Sequence, residues 1–397
     1  MTVVNPGPGG GTSNVVFFEV TLPTSAAAFG RSALGPFLSP LGMVTVDFNR
    51  DGKLDLVVAN SASNTISVSL GNGNGTFRGH VDYATGNGPA SVAVGDFNGD
   101  GKLDLVVGGD FAGIDILLGN GDGTFQTAAN YSVPCCAFSL AVGDFNEDGK
   151  LDLVAVINND RAVSVLLGNG DGTFQPALNY PAGLNPATVA VGDFNRDGHL
   201  DLAVANGAAT NASPNISVLL GNGDGTFQAA LDYPVGNGPQ TVVAGGFNGD
   251  GILDLAVTNA EDNTVSVLLG NGNGTFRSAV DYSTGTYPWA LTLGDFNGDG
   301  KLDLAVASGV TQILFGNGDG TFQPAADLTA PEQSNPNSVA AGDFTGQGRL
   351  DLLVAFTATS SVSELVQSML APSATNVTFP LQVLKTNSAP QKVRSPT

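Results

Sequence analysis

Nine residues, Asp96-Phe97-Asn98-Gly99-Asp100-Gly101-Lys102-Leu103-Asp104, place oxygen side chains at positions 1, 3, 5 and 9 and a glycine at position 6. Hard divalent cations such as calcium take roughly six to eight oxygen ligands, and a turning loop with alternate inward side chains supplies them. Position 7 offers its backbone carbonyl, and glycine at 6 allows the sharp turn. The spacing therefore points to a calcium loop.

The same word occurs five times with all four side-chain ligands intact. The sets are Asp47, Asn49, Asp51 and Asp55; Asp96, Asn98, Asp100 and Asp104; and Asp144, Asn146, Asp148 and Asp152. Two more are Asp193, Asn195, Asp197 and Asp201, and Asp295, Asn297, Asp299 and Asp303. The backbone ligands at position 7 are expected from Lys53, Lys102, Lys150, His199 and Lys301. Asp-Asn-Gly clusters also make simple turns, but a turn does not require three carboxylates in fixed register five times over. Two further copies are damaged. The set Gly246, Asn248, Asp250 and Asp254 lacks the first carboxylate, and Asp343, Thr345, Gln347 and Asp351 lacks the one at position 5. About five calcium ions are expected, with weak or no binding at the damaged loops. The head of the loop is of the EF-hand type, but no Glu stands at position 12. Apolar Leu105-Val106-Val107 follows, a strand rather than a helix.

The seven starts, at 47, 96, 144, 193, 246, 295 and 343, lie 48 to 53 residues apart, so the chain is a repeat array. Each unit reads as four strands. Ser91–Val94 alternates and leads into the loop, Leu103–Val107 is nearly all apolar, Ile114–Leu118 follows, and Phe125–Tyr131 is the outer, more polar fourth. Between the last two lies Gly119-Asn120-Gly121-Asp122-Gly123-Thr124-Phe125, a hairpin signal. Its fourth position is Asn74 or Asn273 in two copies, which suits a turn better than a charged ligand, and its Phe reads as core between blades. Four antiparallel strands repeated radially make a β-propeller.

The expected fold is all-β, a seven-bladed β-propeller of four-stranded antiparallel blades spanning 26–370. Residues 1–25 read as a Gly/Pro-rich linker and 371–397 as a tail, similar to the opening of an immunoglobulin-like domain. The seventh unit lacks its own Gly-Asn-Gly-Asp-Gly word, so Ala26–Phe37 is expected to supply its fourth strand and close the ring. Asn376–Leu384 is a competing donor.

The net charge is −22, and aspartate supplies 31 of the 36 acids. This argues against nucleic acid and anionic membrane as partners. Five divalent ions would bring −22 to −12. No apolar run reaches a membrane span. The two cysteines, Cys135 and Cys136, are adjacent and read as plain thiols, with a strained vicinal disulfide in a ligand loop as the alternative. Catalysis finds little support: two histidines stand in unrelated positions, and the calcium loops account for the paired carboxylates. The chain is expected not to be an enzyme. Sequence-variable connections share the face opposite the calcium loops, and there Tyr287 and Trp289 could stack on a sugar or peptide.

The run Val94-Gly95-Asp96-Phe97-Asn98-Gly99-Asp100-Gly101-Lys102-Leu103-Asp104-Leu105-Val106-Val107 resembles the FG-GAP/VCBS repeat family, including the calcium-loop blades of integrin α-subunit propellers. The resemblance covers roughly residues 28–370. It implies a seven-bladed propeller, calcium between strands one and two, and an extracellular or cell-surface setting. The expected role is a monomeric, non-enzymatic adhesion or binding scaffold with a protein or glycan ligand. The alternatives are a carbohydrate-binding lectin using the variable face, or a non-catalytic module of a secreted polysaccharide-active enzyme.

Overall fold

A computed structural model describes residues 28–110, 113–133, 136–158, 160–207, 214–328 and 336–368. The segments 1–25 and 371–397, the alternative donor Asn376–Leu384, Phe111 and Cys135 lie outside the described residues. Among the described residues, twenty-eight strands form seven sheets of four, each antiparallel. Blade 1 is Pro40–Val46, Asp55–Asn60, Thr65–Ser69 and Val81–Ala84; blade 2 is Pro89–Gly95, Asp104–Gly109, Ile114–Leu117 and Ala129–Tyr131. The first strands of successive blades adjoin, and that of blade 7, Pro336–Gly342, meets that of blade 1. The sheets thus close into a ring.

Closure uses the first strand of the chain. Ala28–Leu34 pairs antiparallel with Ser361–Ser368, with Ala28 opposite Ser368 and Leu34 opposite Val362. It becomes the outer strand of blade 7, as expected from the missing hairpin word.

The second strand of every blade is buried along its whole length, because a neighbouring blade covers each face. Its apolar and small residues therefore need no alternation. Seven hydrophobic cores result, each shared by two adjacent blades; one joins Leu56 and Val58 of blade 1 to Leu353 and Ala355 of blade 7.

The expected fourth strand Phe125–Tyr131 is shorter in the structure. Phe125 makes one bridge to Gly119, and the ladder resumes at Ala129. The reason is packing. The Phe125 ring turns inward against Phe48 and Tyr83 of blade 1, at centroid distances of 5.3 and 5.7 Å. The same loop-Phe, turn-Phe, strand-Tyr trio recurs at Phe97–Phe174–Tyr131, Phe145–Phe227–Tyr180, Phe194–Phe276–Tyr233 and Phe247–Phe322–Tyr282. These trios join the loop after the first strand of blades 1 to 5 to the turn of the next blade.

A polar chain also crosses some blades. Asn60 Nδ2 donates to Ser67 Oγ at 2.7 Å, and Ser67 Oγ donates to Asp82. Asn206–Ser217–Asp232 and Asn259–Ser266–Asp281 repeat it. Burial without such partners would cost stability. One expectation is corrected: Cys136, in a left-handed turn (φ 52°) before the strand Ala137–Gly143, is disulfide-bonded rather than a thiol. Cys135 is the only other cysteine in the sequence.

Candidate metal loops

Because the strands alternate in direction, the connections between strands one and two share a rim with those between three and four. All seven candidate loops therefore lie on one face. Several are braced by a turn of another blade: Gly172 N donates to Phe97 O at 2.9 Å, Gly225 N to Phe145 O at 2.8 Å, and Gly75 N to Phe344 O at 2.8 Å. These loops are joints between blades.

In loop two, Asp96 Oδ1 and Asn98 Oδ1 both accept from Asp100 N, at 3.1 and 2.9 Å, so the oxygens of positions 1 and 3 converge. Asp96 Oδ2 accepts from Gly101 N at 2.7 Å. Gly101 has φ +79°, where an L-residue would be strained. Asp100 accepts from Lys102 N at 2.9 Å, and its second oxygen lies 3.1 Å from Lys102 Nζ.

Three other loops repeat this pattern. In loop one, Asp51 N donates to Asp47 Oδ1 at 3.1 Å and to Asn49 Oδ1 at 2.9 Å, and Lys53 Nζ lies 3.5 Å from Asp51 Oδ2. In loop three, Asp148 N donates to Asp144 Oδ1 at 3.1 Å and to Asn146 Oδ1 at 3.0 Å, and Lys150 Nζ lies 3.1 Å from Asp148 Oδ2. In loop six, Asp299 N donates to Asp295 Oδ1 at 3.0 Å and to Asn297 Oδ1 at 2.8 Å, and Lys301 Nζ lies 3.6 Å from Asp299 Oδ2.

Loop four differs. Asn195 Oδ1 accepts from Asp197 N and Asp193 Oδ2 from Gly198 N, but Asp193 Oδ1 is buried with no partner. His199 pairs with Glu147 of the preceding loop, which holds its imidazole pKa above the ordinary value.

Position 9 has a role that the spacing did not reveal. Asp104 is fully buried, with Oδ2 accepting from Phe97 N at 3.0 Å and Oδ1 from Gly119 N at 2.7 Å. One carboxylate thus ties the loop to the hairpin turn of the same blade. Asp55, Asp152, Asp201 and Asp303 bond in the same way. So does Asp254 in a damaged loop. The only sequence signal was the paired recurrence of this Asp and the first hairpin Gly. A Cβ on Gly119 would sit 2.1 Å from Leu103 O, which keeps that position glycine.

Among the described residues no three His, Cys, Asp or Glu side chains stand together as a closed metal-holding group. The oxygens of Asp47, Asn49 and Asp51 are engaged with N–H groups of their own loop instead. The same holds for Asp96, Asn98 and Asp100, and for Asp144, Asn146 and Asp148. It holds again for Asn195 and Asp197, and for Asp295, Asn297 and Asp299. The physical reason is local: Asp and Asn side chains bond backbone groups a few residues away, as in Asx turns. Position 9 meanwhile serves the hairpin tie.

Burial, and then the carboxylates at positions 5 and 1, raise the pKa values of the position-9 aspartates. Asp201 and Asp303 are pushed up to about 6, against the relief from their two N–H donors. Carboxylate oxygens retain further lone pairs. Convergent oxygens, an orphaned buried oxygen and a charge-strained carboxylate all fit a cation.

A pH dependence follows for metal-free protein. These folded-state values exceed the ordinary aspartate value near 3.9, so the folded state binds protons more tightly than the unfolded. Their contribution is present at low pH and lost as pH rises from about 4 through about 6. Thermal melts of desalted, chelator-treated protein are expected to rise by several degrees between pH 7.5 and pH 5. A flat or falling midpoint would contradict this.

On the opposite face, Tyr287 and Trp289 are both exposed, at 56% and 38%. The Trp289 backbone is fixed by its N–H to Ala307 O at 2.8 Å and by Thr241 Oγ1 on its carbonyl at 2.8 Å. Val310 is exposed in the neighbouring connection.

The profile of the FG-GAP-like repeat matches residues 47–107, 96–155, 144–204, 246–306 and 304–354, and that of the FG-GAP repeat matches 185–226. The chain belongs to the FG-GAP repeat family. No curated protein matches it. Among solved structures, the FG-GAP chain is similar to one titled "Crystal structure of BBS1N in complex with ARL6DN, soaked with mercury". The TM-score is 0.57 at 14% identity, covering 86% of this chain and 98% of that one. At that identity the likeness concerns the fold alone. The FG-GAP propeller supports a binding or scaffold module in general. Among the described residues no helix is long and apolar enough to cross a membrane.

Proposed function

We propose that the protein is a calcium-stabilised, non-enzymatic propeller that serves extracellular or cell-surface adhesion as a binding scaffold. Calcium would be held by loops one to four and six, at positions 1, 3, 5 and 9 and the position-7 carbonyl. It would neutralise acids that otherwise repel one another across an inter-blade joint. The observation that carries this reading is loop four. There Asp193 Oδ1 is buried without a partner beside Asp201, whose pKa is pushed up to about 6. Both features are relieved by a bound cation.

Metal content by mass spectrometry tests it. Wild-type protein dialysed against calcium should hold about five ions per chain, and Asp100→Ala about four, with a small loss of stability. An unchanged count in the variant would remove the assignment.

A second reading, a carbohydrate-binding lectin, is favoured by the exposed Tyr287 and Trp289 on a rigid backbone. Aromatic faces of this kind stack on sugar rings. Glycan-array binding should then fall at least tenfold in Trp289→Ala. Equal binding by that variant, or no binding to any glycan, would leave a protein ligand as the expected partner.

A further inference from the structure

The two damaged loops keep the intact backbone path yet lack one acid each. Each holds a hydrogen bond from a protein group that the intact loops, among the described residues, do not show. In loop seven the Thr345 hydroxyl stands between the carboxylates of positions 9 and 1, 3.1 Å from Asp351 Oδ2 and 3.3 Å from Asp343 Oδ1. The intact loops have asparagine at this position, and its oxygen accepts from the position-5 N–H instead. In loop five the added group comes from outside. Arg196, at position 4 of loop four, donates from Nη2 to Gly251 O at 2.6 Å and lies 3.5 Å from Asp250 O.

We infer that loops five and seven are metal-free joints in which protein groups replace the cation, the Arg196 guanidinium in one and the Thr345 hydroxyl in the other. This rests on the calcium reading of the other five loops. The chemistry is matched to each defect. Loop five has lost the position-1 carboxylate, so only Asp250 and Asp254 remain, and a neighbouring guanidinium brings positive charge to carbonyls of the loop. Loop seven has lost the position-5 carboxylate, and a donor between the two remaining acids takes over the bridging contact. In loop seven a cation would have to displace the Thr345 hydroxyl from between the two acids.

Position 4 is suited to such reach. Arg50, Glu147 and Arg196 all have φ between 57 and 63°, and Glu147 and Arg196 both contact the loop of the following blade. Arg50 of loop one also stands near Gly101 of loop two, but without a hydrogen bond to that loop. Loop five thereby takes its added group from loop four, whereas loop seven takes it from its own sequence.

Amide hydrogen exchange on the full chain, read by peptide mass spectrometry with calcium and with EGTA, tests this alongside metal counts. In wild type, loops one to four and six should exchange about tenfold faster in EGTA, and residues 343–351 should not change. Arg196→Ala should make residues 246–254 exchange fast already in calcium, with no further gain in EGTA and the metal count unchanged. Thr345→Val should do the same for residues 343–351. Slow exchange in Asp254–Asn259 and Asp351–Phe356 confirms that the variants remain folded.

The inference is overturned if either variant leaves its loop's exchange as in wild type, if it loses a bound ion, or if loop seven responds to EGTA. Seven ions in wild type would also overturn it. If wild type holds no metal and no loop responds to EGTA, the calcium reading falls. The two variant effects then still decide whether these side chains hold their loops.

Discussion

Replacing Asp104 by alanine is expected to destabilise the protein by about 2–6 kcal/mol, since it orphans two buried N–H donors at about 1–3 kcal/mol each. The donors are Phe97 N and Gly119 N, and the carboxylate between them ties loop two to its hairpin turn. Asp100→Ala, on an exposed carboxylate paired with Lys102, should cost less. Urea denaturation of both variants in calcium checks the order. Asp104→Asn, which keeps one acceptor oxygen, should fall between them. An Asp104→Ala cost no greater than that of Asp100→Ala would show that position 9 acts only as a ligand and not as a tie.

Chelation should have the second large effect. At free calcium tenfold above the dissociation constant, each site adds about 1.4 kcal/mol, so five independent sites add about 7. For a propeller of this size that is about 10 °C in melting temperature. A calorimetric scan with calcium and with EGTA reads it directly. Equal midpoints would reduce the Asp/Asn words to turn chemistry. The excess negative charge would then have no countercharge built into the fold.

The sequence spoke most clearly where one physical requirement acts on every unit. The regular period, the apolar run after each loop and the missing seventh hairpin word lead to seven blades and to Ala26–Phe37 as the closing donor, of which Ala28–Leu34 forms the strand. Asn74 and Asn273 in place of Asp marked the hairpin word as a turn. In the structure Asn74 and Asp122 each accept from the following Thr N–H and hydroxyl, a task needing an oxygen and no charge.

What stayed hidden were relations between separate turns. The period places Asp104 in a metal loop, but not its reach of 15 residues to Gly119. Asn49, Asp51, Asn146, Asn297 and Asp299 fit a ligand register, yet spacing alone does not show that each also holds its loop's own backbone. Arg196 carries no signal in the sequence, because its partner lies 55 residues away in another loop. The fourth strand was drawn too long because Phe125 suits a strand as well as it suits the core. The oxidised state of Cys136 ranks only second from the sequence, because adjacent cysteines seldom meet the usual disulfide geometry.

The closing strand has a mechanical consequence. Ala28 lies directly opposite Ser368, so both ends of the described chain leave the ring at the same end of one antiparallel ladder. Tension applied through the two termini pulls that ladder apart one pair at a time, from Ala28 and Ser368 toward Leu34 and Val362, instead of loading all its hydrogen bonds together. The ring is therefore weakest against traction through its own ends and strongest against loads that press on its faces. When the protein is tethered at one end only, the latch carries no load.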